Sequence, residues 1–115
     1  LKTENRETIF SAEISEATIA LKIPIAHGEG NYFADIDLLK ELEANRQILF
    51  RYSDEDGNVN NENNPNGSQL NIAGIVNKNG NVMGMMPHPE RACDPTLGRT
   101  DGQQIFKSIA NYILN

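Results

Sequence analysis

Cysteine and basic residues are scarce in this sequence of 115 residues. The single cysteine, Cys93, excludes an intrachain disulfide, which favours a protein of a reducing compartment. No apolar run is long enough to form a transmembrane helix, and the polar start "LKTENRETIF" lacks the apolar core of a signal peptide. We therefore expect a cytoplasmic protein.

Positive charge is outnumbered, because 10 Lys and Arg residues against 16 Asp and Glu residues give a net charge of −6. Binding to nucleic acid requires clustered basic side chains that neutralise phosphates, and an anionic membrane surface attracts the same residues. Neither nucleic acid nor a membrane is therefore expected as a partner. The chain also lacks an initiator methionine, so we expect a processed product or a fragment.

What is present is an alternation of strand and helix patterns. The isoleucines and leucine of "ATIALKIPIA" alternate with other residues, whereas the apolar residues of "DIDLLKELEAN" recur at helical spacing, with Asp35 as the N-cap. Strands are predicted at 17–26, 47–52, 71–77 and 81–86, helices at 35–45 and from about Thr100 or Asp101, and a hairpin turn at 78–80. The apolar stripe of the last helix consists of Ile105, Phe106, Ile109, Tyr112 and Ile113. This mixture predicts packed layers of the α/β class.

A long polar loop covers residues 53–68 and contains six asparagines. Loops of this length in compact domains tend to be functional or disordered. Asp54, Asp56 and Asn58 resemble the start of a calcium loop, but valine occupies the sixth position, where the tight turn needs glycine. In "NNPNGS", residues 63–68, Asn-Pro followed by Asn-Gly predicts a rigid bend that presents backbone groups in one orientation.

His88 and Glu90 lie in "GNVMGMMPHPERA", at the end of the predicted strand 81–86. Pro87 and Pro89 favour extended neighbours, and residues two apart in an extended segment point to the same side. A carboxylate beside an imidazole can fix its tautomer and stabilise the imidazolium, as the third member of a nucleophile–base–orienter triad does. We therefore predict a general base and its orienting carboxylate, the alternative being a proline-rich surface turn with incidental charges.

A triad also needs a nucleophile, and no residue of this sequence suits that role. Cys93 is followed by Asp94 and Pro95, which disfavour both a thiolate and a smooth start of a helix. No serine has the small neighbours of a nucleophile elbow. The sequence therefore predicts a base and its orienter without their nucleophile, and a structural or incidental Cys93.

His27 and Gly28 begin the motif "HGEGNYF" after the predicted strand 17–26. Gly28 and the glycine two residues later allow a ligand to approach the backbone closely. The alternatives are a strand-ending turn in which His27 caps backbone groups, and a metal site of His27, Glu29, His88 and Glu90. None of these residues has the helix-borne spacing of a zinc motif, so no metal is expected.

Three segments in this order, "IPIAHGEGNYF", "NPNGSQLNIAGIVNKNGNVMGMMPHPERA" and "LGRTDGQQIFKSI", resemble the C-terminal half of the glutaminase subunits of phosphoribosylformylglycinamidine synthases. These subunits are class I (triad-type) glutamine amidotransferases. His-Pro-Glu occurs across that class, whereas "AHGEGNY" and "NPNGS" narrow the resemblance to the purine-pathway members. The resemblance implies the three-layer, flavodoxin-like α/β fold, of which residues 1–115 are only the C-terminal half.

Members of this family use a Cys-His-Glu triad to hydrolyse glutamine and pass the ammonia to a synthase of de novo purine biosynthesis. The resemblance implies that His88 is the base and Glu90 the orienter, and that His27 and Gly28 line the glutamine pocket or face the synthase. It implies glutamine, a large synthase subunit and a small third subunit as partners. ATP and Mg are used by the large subunit, so no cofactor is expected in this chain.

The sequence departs from the family in one respect: no segment here matches the glycine-rich elbow that carries the nucleophilic cysteine. A triad acts as a unit, so we expect the 115 residues alone to have no glutaminase activity. One alternative is an amidotransferase domain serving another synthase, such as one making GMP or anthranilate, which fits "HGEGNY" and "NPNGS" less well. The other is a non-catalytic binding module, against which the intact His88 and Glu90 weigh.

Overall fold

In the part of the chain that the structure describes, four strands and two α-helices follow one another in the order β-α-β-β-β-α. The computed structural model describes residues 1–15, 18–23, 32, 34–65, 67–92 and 100–114. The main elements are β1 (Lys2–Thr3), α1 (Ile36–Ala44), β2 (Ile48–Arg51), β3 (Ile72–Val76), β4 (Met83–Met85) and α2 (Gln103–Leu114). Short 3-10 helices cover Asn61–Asn63, Gln69–Asn71 and Pro89–Ala92. The strands form one sheet in the order β1-β2-β3-β4, and neighbouring strands are antiparallel.

The two α-helices pack against opposite faces of this sheet. On one face, Leu39 and Leu42 of α1 contact Ile48 and Ile72. On the other face, Ile105 of α2 joins a larger cluster. That cluster also contains Leu1, Phe10, Ile14, Leu21, Leu49, Phe50, Tyr52, Ala73 and Val76. β2 and β3 contribute residues to both clusters, and Leu49 and Phe50 lie in the same one where the register of β2 against β3 shifts. The predicted layered α/β class is confirmed.

Helix α1 begins and ends where its capping residues predict. The Asp35 backbone is extended, and its Oδ1 accepts a hydrogen bond from the Leu38 N–H at 2.8 Å, which satisfies one of the free donors of the first turn. At the other end the Asn45 N–H donates to the Glu41 carbonyl at 3.0 Å. The predicted helix at 35–45 is therefore confirmed with its N-cap.

The predicted hairpin turn at 78–80 joins β3 to β4. Asn77 organises it, because its backbone N–H donates to the Val82 carbonyl at 3.0 Å and its side-chain oxygen accepts from the Asn81 N–H at 2.9 Å. Gly80 has a φ of 73°, in the left-handed region that glycine adopts without steric cost. The turn thereby fixes the register of β4 and the place where that strand ends.

Gly74, in the middle of β3, allows the neighbouring strands to approach closely. A Cβ atom at this position would lie 2.8 Å from Cδ2 of Phe50 and 3.2 Å from Cβ of Met85. The Phe50 ring belongs to a fully buried side chain and has no room to withdraw. The sheet centre is therefore packed to the point where one methyl group would not fit.

The strand predicted at 17–26 is wrong over residues 18–23, and its other residues lie outside the described ranges. Its backbone groups are bound elsewhere: Leu21 N–H donates to the Leu1 carbonyl at 2.7 Å, and Lys22 N–H donates to Asp101 Oδ2 at 2.7 Å. Backbone pairing at one residue and a hydrogen bond to one side chain do not form the repeated backbone hydrogen bonds of a β-ladder.

The apolar stripe predicted for α2 is only partly buried. Ile105 is enclosed and Ile109 packs against the same cluster, but the other three members of the stripe are exposed. Hydrogen bonds also attach the helix to the N-terminal segment. Ser108 Oγ accepts from the Glu13 N–H at 2.9 Å, and Gln104 Oε1 accepts from the Ser15 N–H at 2.8 Å. No helix within the described residues is long and apolar enough to cross a membrane.

Candidate functional site

The His88–Glu90 pair lies just past the end of β4, on a turn that its prolines anchor. Pro87 and Pro89 are buried, whereas the side chains of His88 and Glu90 are 52% and 61% exposed. His88 Nδ1 lies 3.3 Å from Glu90 Oε1. The two prolines therefore hold the turn against the core and leave the imidazole and the carboxylate at the surface beside each other.

The backbone conformation that brings His88 and Glu90 together differs from the extended one expected from the sequence. Glu90 lies in the 3-10 helix Pro89–Ala92. The fixed φ of Pro89 suits the first turn of a helix, so the chain turns back after His88. The expectation that both side chains share one face is met, but by a helical turn and not by an extended segment.

His88 lines a cavity of about 260 Å³ beside the sheet. Its walls come from β3 and from the end of β4, with Tyr32 on the remaining side. Met85 and Met86 contribute to these walls and are half-buried. A half-exposed imidazole beside a small cavity can exchange protons with a group that enters it.

Tyr32 is held at this cavity by the polar loop. Its N–H donates to Ser68 Oγ at 2.9 Å, and its carbonyl accepts from the Gln69 N–H at 3.0 Å. The Gln69 side-chain oxygen accepts a third hydrogen bond, from the Ala34 N–H. We call these three hydrogen bonds the Tyr32 clasp, and they join Tyr32, which lines the cavity, to the end of the polar loop.

The bend predicted at 63–68 is confirmed where the structure describes it. Asn64 Oδ1 accepts from the Gly67 N–H at 2.8 Å, while Asn64 Nδ2 donates to the Ser68 carbonyl at 2.7 Å and to Asn71 Oδ1 at 2.9 Å. Gly67 has a φ of 76°, which favours glycine at that position. One asparagine side chain thus fixes the loop that orients Ser68 towards Tyr32.

Asp54, which suggested a calcium loop, uses its oxygens inside its own turn. Oδ1 accepts from the N–H groups of Asn58 and Asp56 at 2.8 and 2.9 Å, and Oδ2 accepts from the Asn58 side chain at 3.0 Å. These hydrogen bonds, from the Asn58 backbone first, hold the pKa of Asp54 below its usual range. Among the described residues no three His, Cys, Asp or Glu side chains form a metal-binding group.

His27, Gly28 and Cys93 lie outside the described residues, so their predicted roles stay predictions. Tyr32 was not singled out from the sequence, although it belongs to the motif "HGEGNYF". The signal that places it at the cavity is a set of hydrogen bonds to residues more than 30 positions later in the chain. Sequence spacing alone carries no such information.

Comparisons with known proteins agree over almost the whole chain. The family described as CobB/CobQ-like glutamine amidotransferase domain matches residues 1–113. A phosphoribosylformylglycinamidine synthase subunit PurQ from Moorella thermoacetica is 54% identical over 112 residues, which cover 97% of this chain and 47% of that protein. A subunit of the same name from Acaryochloris marina is 57% identical over 99 residues, covering 86% of this chain and 42% of that protein.

A solved structure gives the same result for the fold. The structure of PurLQS from Thermotoga maritima matches with a TM-score of 0.71 and 38% sequence identity. The match covers 97% of this chain and 44% of the matched chain. The chain therefore spans about half the length of the relatives that it matches.

Proposed function

This chain belongs to the CobB/CobQ-like glutamine amidotransferase family, and on that premise we propose that it supplies the base and the orienting carboxylate for glutamine hydrolysis. The ammonia serves phosphoribosylformylglycinamidine synthase in de novo purine biosynthesis, as the names of the relatives suggest. The observation that supports this function is the 3.3 Å approach of His88 Nδ1 to Glu90 Oε1 beside a cavity.

The pair divides the two ring nitrogens of His88 between two tasks. With Nδ1–H facing the Glu90 carboxylate, Nε2 is the nitrogen that accepts a proton. A cysteine thiol gives its proton to Nε2 as sulfur bonds to the side-chain amide carbon of glutamine. The imidazolium then protonates the leaving nitrogen, which departs as ammonia and leaves a glutamyl thioester. Water, deprotonated by the same imidazole, releases glutamate and restores the thiol.

The thiol comes from a segment outside these 115 residues, and residues 1–115 form the C-terminal part of the amidotransferase domain. The length of the relatives supports this, because the chain covers only 42–47% of them. The half-exposed ring of His88 leaves room for such a segment to approach. His27 and Gly28 line the glutamine pocket or face the synthase; Tyr32, a few residues further along, lies at the His88 cavity and supports that position.

The partners in this proposal are a large synthase subunit, which uses ATP and Mg, and a small third subunit. The similarity to PurLQS from Thermotoga maritima supports a complex of this kind. The chain itself holds no cofactor in this scheme, since the triad needs none. The complex works in the cytoplasm, in keeping with a sequence that contains one cysteine.

The test uses the whole amidotransferase protein that contains this sequence, with glutamate release and thioester trapping as readouts. His88→Ala should lower kcat by at least about 10³-fold and abolish the thioester, because the base is needed to generate the thiolate. Glu90→Ala should cause a smaller loss, on the order of 10²-fold, since an orienting group leaves the base in place.

Glu62→Ala is the matched control, because Glu62 is an exposed carboxylate in the 3-10 helix of the polar loop. It should leave kcat unchanged. The 115 residues alone should release no glutamate above the buffer rate. A slower rate for Glu90→Ala than for His88→Ala, or activity of the isolated chain, would contradict the assigned roles.

A further inference from the structure

The orientation of the His88 ring depends on the backbone that carries it. The side chain is 52% exposed, so packing within these 115 residues does not fix the ring in the way that it fixes a core residue. Pro87 and Pro89 flank it; both are buried and anchor the turn to the core, but neither has a backbone N–H donor. The hydrogen bonds made immediately before this turn add a directional link between it and the sheet.

Met86 is the residue at which those hydrogen bonds are made. Its N–H donates to the Ala73 carbonyl of β3 at 2.9 Å, one residue past the end of β4. Its carbonyl accepts a hydrogen bond from the Tyr52 hydroxyl at 2.7 Å. That carbonyl belongs to the peptide group of Pro87, so the Tyr52 hydroxyl acts two residues before the imidazole.

Tyr52 is well placed to act as a rigid support. It follows β2, it is 3% exposed within the larger core cluster, and its N–H donates to the Asn71 carbonyl at 2.8 Å. Its hydroxyl reaches past β3 to the chain leaving β4, since the sheet order is β2-β3-β4. A fully packed aromatic ring thus links the centre of the sheet to the exposed turn.

We propose that Tyr52 is a positioning residue for His88: its hydroxyl, through the Met86 carbonyl, holds the turn so that the imidazole faces the reacting thiol. This inference rests on the proposed glutamine hydrolysis. Small displacements of a catalytic group lower kcat steeply, whereas a merely stabilising hydrogen bond changes only the fraction of folded protein. A loss of kcat in a variant that is fully folded therefore separates the two roles.

The experiment compares Tyr52→Phe with Tyr112→Phe in the whole amidotransferase protein. Tyr112 lies on α2 and is 64% exposed, so its variant removes a hydroxyl that the core does not enclose. At a temperature where both variants are fully folded, Tyr52→Phe should lower kcat by about 10- to 100-fold. KM for glutamine should stay within about 2-fold, because the ring supports the base and not the substrate. Tyr112→Phe should match the parent in both constants.

A second readout is independent of activity. In protein labelled with ¹³C at His88 Cε1, NMR relaxation should show a lower order parameter for the ring in Tyr52→Phe than in the parent and in Tyr112→Phe. If the parent itself releases no glutamate, the proposed function fails, and the order parameter alone decides the role of Tyr52. Unchanged kcat in Tyr52→Phe with an active parent, or an unchanged order parameter with an inactive one, would overturn the inference.

Should Tyr52→Phe fail to fold, 3,5-difluorotyrosine at position 52 keeps both ring and hydroxyl. Fluorine lowers the pKa of the hydroxyl, so raising the pH after folding removes the donor, which ultraviolet absorbance reports. Loss of kcat relative to the parent over that pH range would support the role of Tyr52. Equal kcat for the two proteins after ionisation would overturn it.

Discussion

The centre of the sheet and the His88 turn are built by different forces. In β2, Leu49 and Phe50 are 0% exposed, and the strand is covered on both faces. The turn after β4 exposes His88 and Glu90 and is held mainly by buried prolines and by the hydrogen bonds of Met86. Apolar packing therefore determines how stable the molecule is, while a few directional contacts determine where the imidazole lies.

The largest change in the free energy of unfolding is expected from a substitution at the centre of the sheet, compared with one in the His88 turn. Phe50→Ala should lower the free energy of unfolding by about 3–5 kcal/mol, because it removes a fully buried aromatic side chain and leaves a cavity. His88→Ala should change it by less than about 0.5 kcal/mol, as an exposed surface substitution does. Urea denaturation followed by far-UV circular dichroism measures both, since the sequence has no tryptophan. Equal destabilisation by the two substitutions would remove the contrast.

A smaller loss of stability is expected from adding a methyl group at the centre of the sheet, compared with adding one on the edge strand β4. Gly74→Ala should destabilise by about 1–3 kcal/mol, because the new Cβ meets the Phe50 ring at 2.8 Å and Met85 Cβ at 3.2 Å. Gly84→Ala is the matched control on β4, where a Cβ would meet no atom within 4 Å. It should be neutral or stabilise slightly, because alanine restricts the unfolded chain. Denaturation midpoints that fall equally for both would contradict this account of the close approach.

The smallest effect is expected at the exposed turn after Tyr52. Asp54 has a folded-state pKa below its usual value, owing to the hydrogen bonds from Asn58. The stability that it contributes is therefore present above its unfolded pKa of about 4 and is lost as the pH falls through the folded one. Asp54→Asn should flatten the acid limb of stability against pH, whereas Asp56→Asn should retain it because the Asp54 acceptor remains. An unchanged acid limb in Asp54→Asn would count against the lowered pKa.

Local signals in the sequence predicted a substantial part of the fold. The cap at Asp35 and the turn at 78–80 each depend on residues adjacent in the chain, and both predictions are confirmed. The resemblance drawn from three ordered motifs, and the family fold that it implied, are also confirmed by the relatives and by the similar structure. Motifs in a fixed order carry more information than any single one of them, because chance rarely reproduces the whole order.

The parts that could not be predicted depend on distant contacts. The strand predicted at 17–26 had the right alternation, but over the described residues 18–23 the only long-range backbone pairing is between Leu21 and Leu1. The two residues of β1 are too few to show any period. At the site, the proximity of His88 and Glu90 was predicted, whereas the contributions of Tyr32 and Tyr52 arise from hydrogen bonds across 34–36 positions. Such bonds exist only once the sheet has assembled.

The Tyr32 clasp uses the main-chain N–H and carbonyl of Tyr32, so it does not depend on which side chain that residue carries. The side chain of Tyr32 at the cavity can consequently be replaced without removing the hydrogen bonds that hold its backbone. A library restricted to position 32 can vary the shape and polarity of that wall while the loops on either side stay joined.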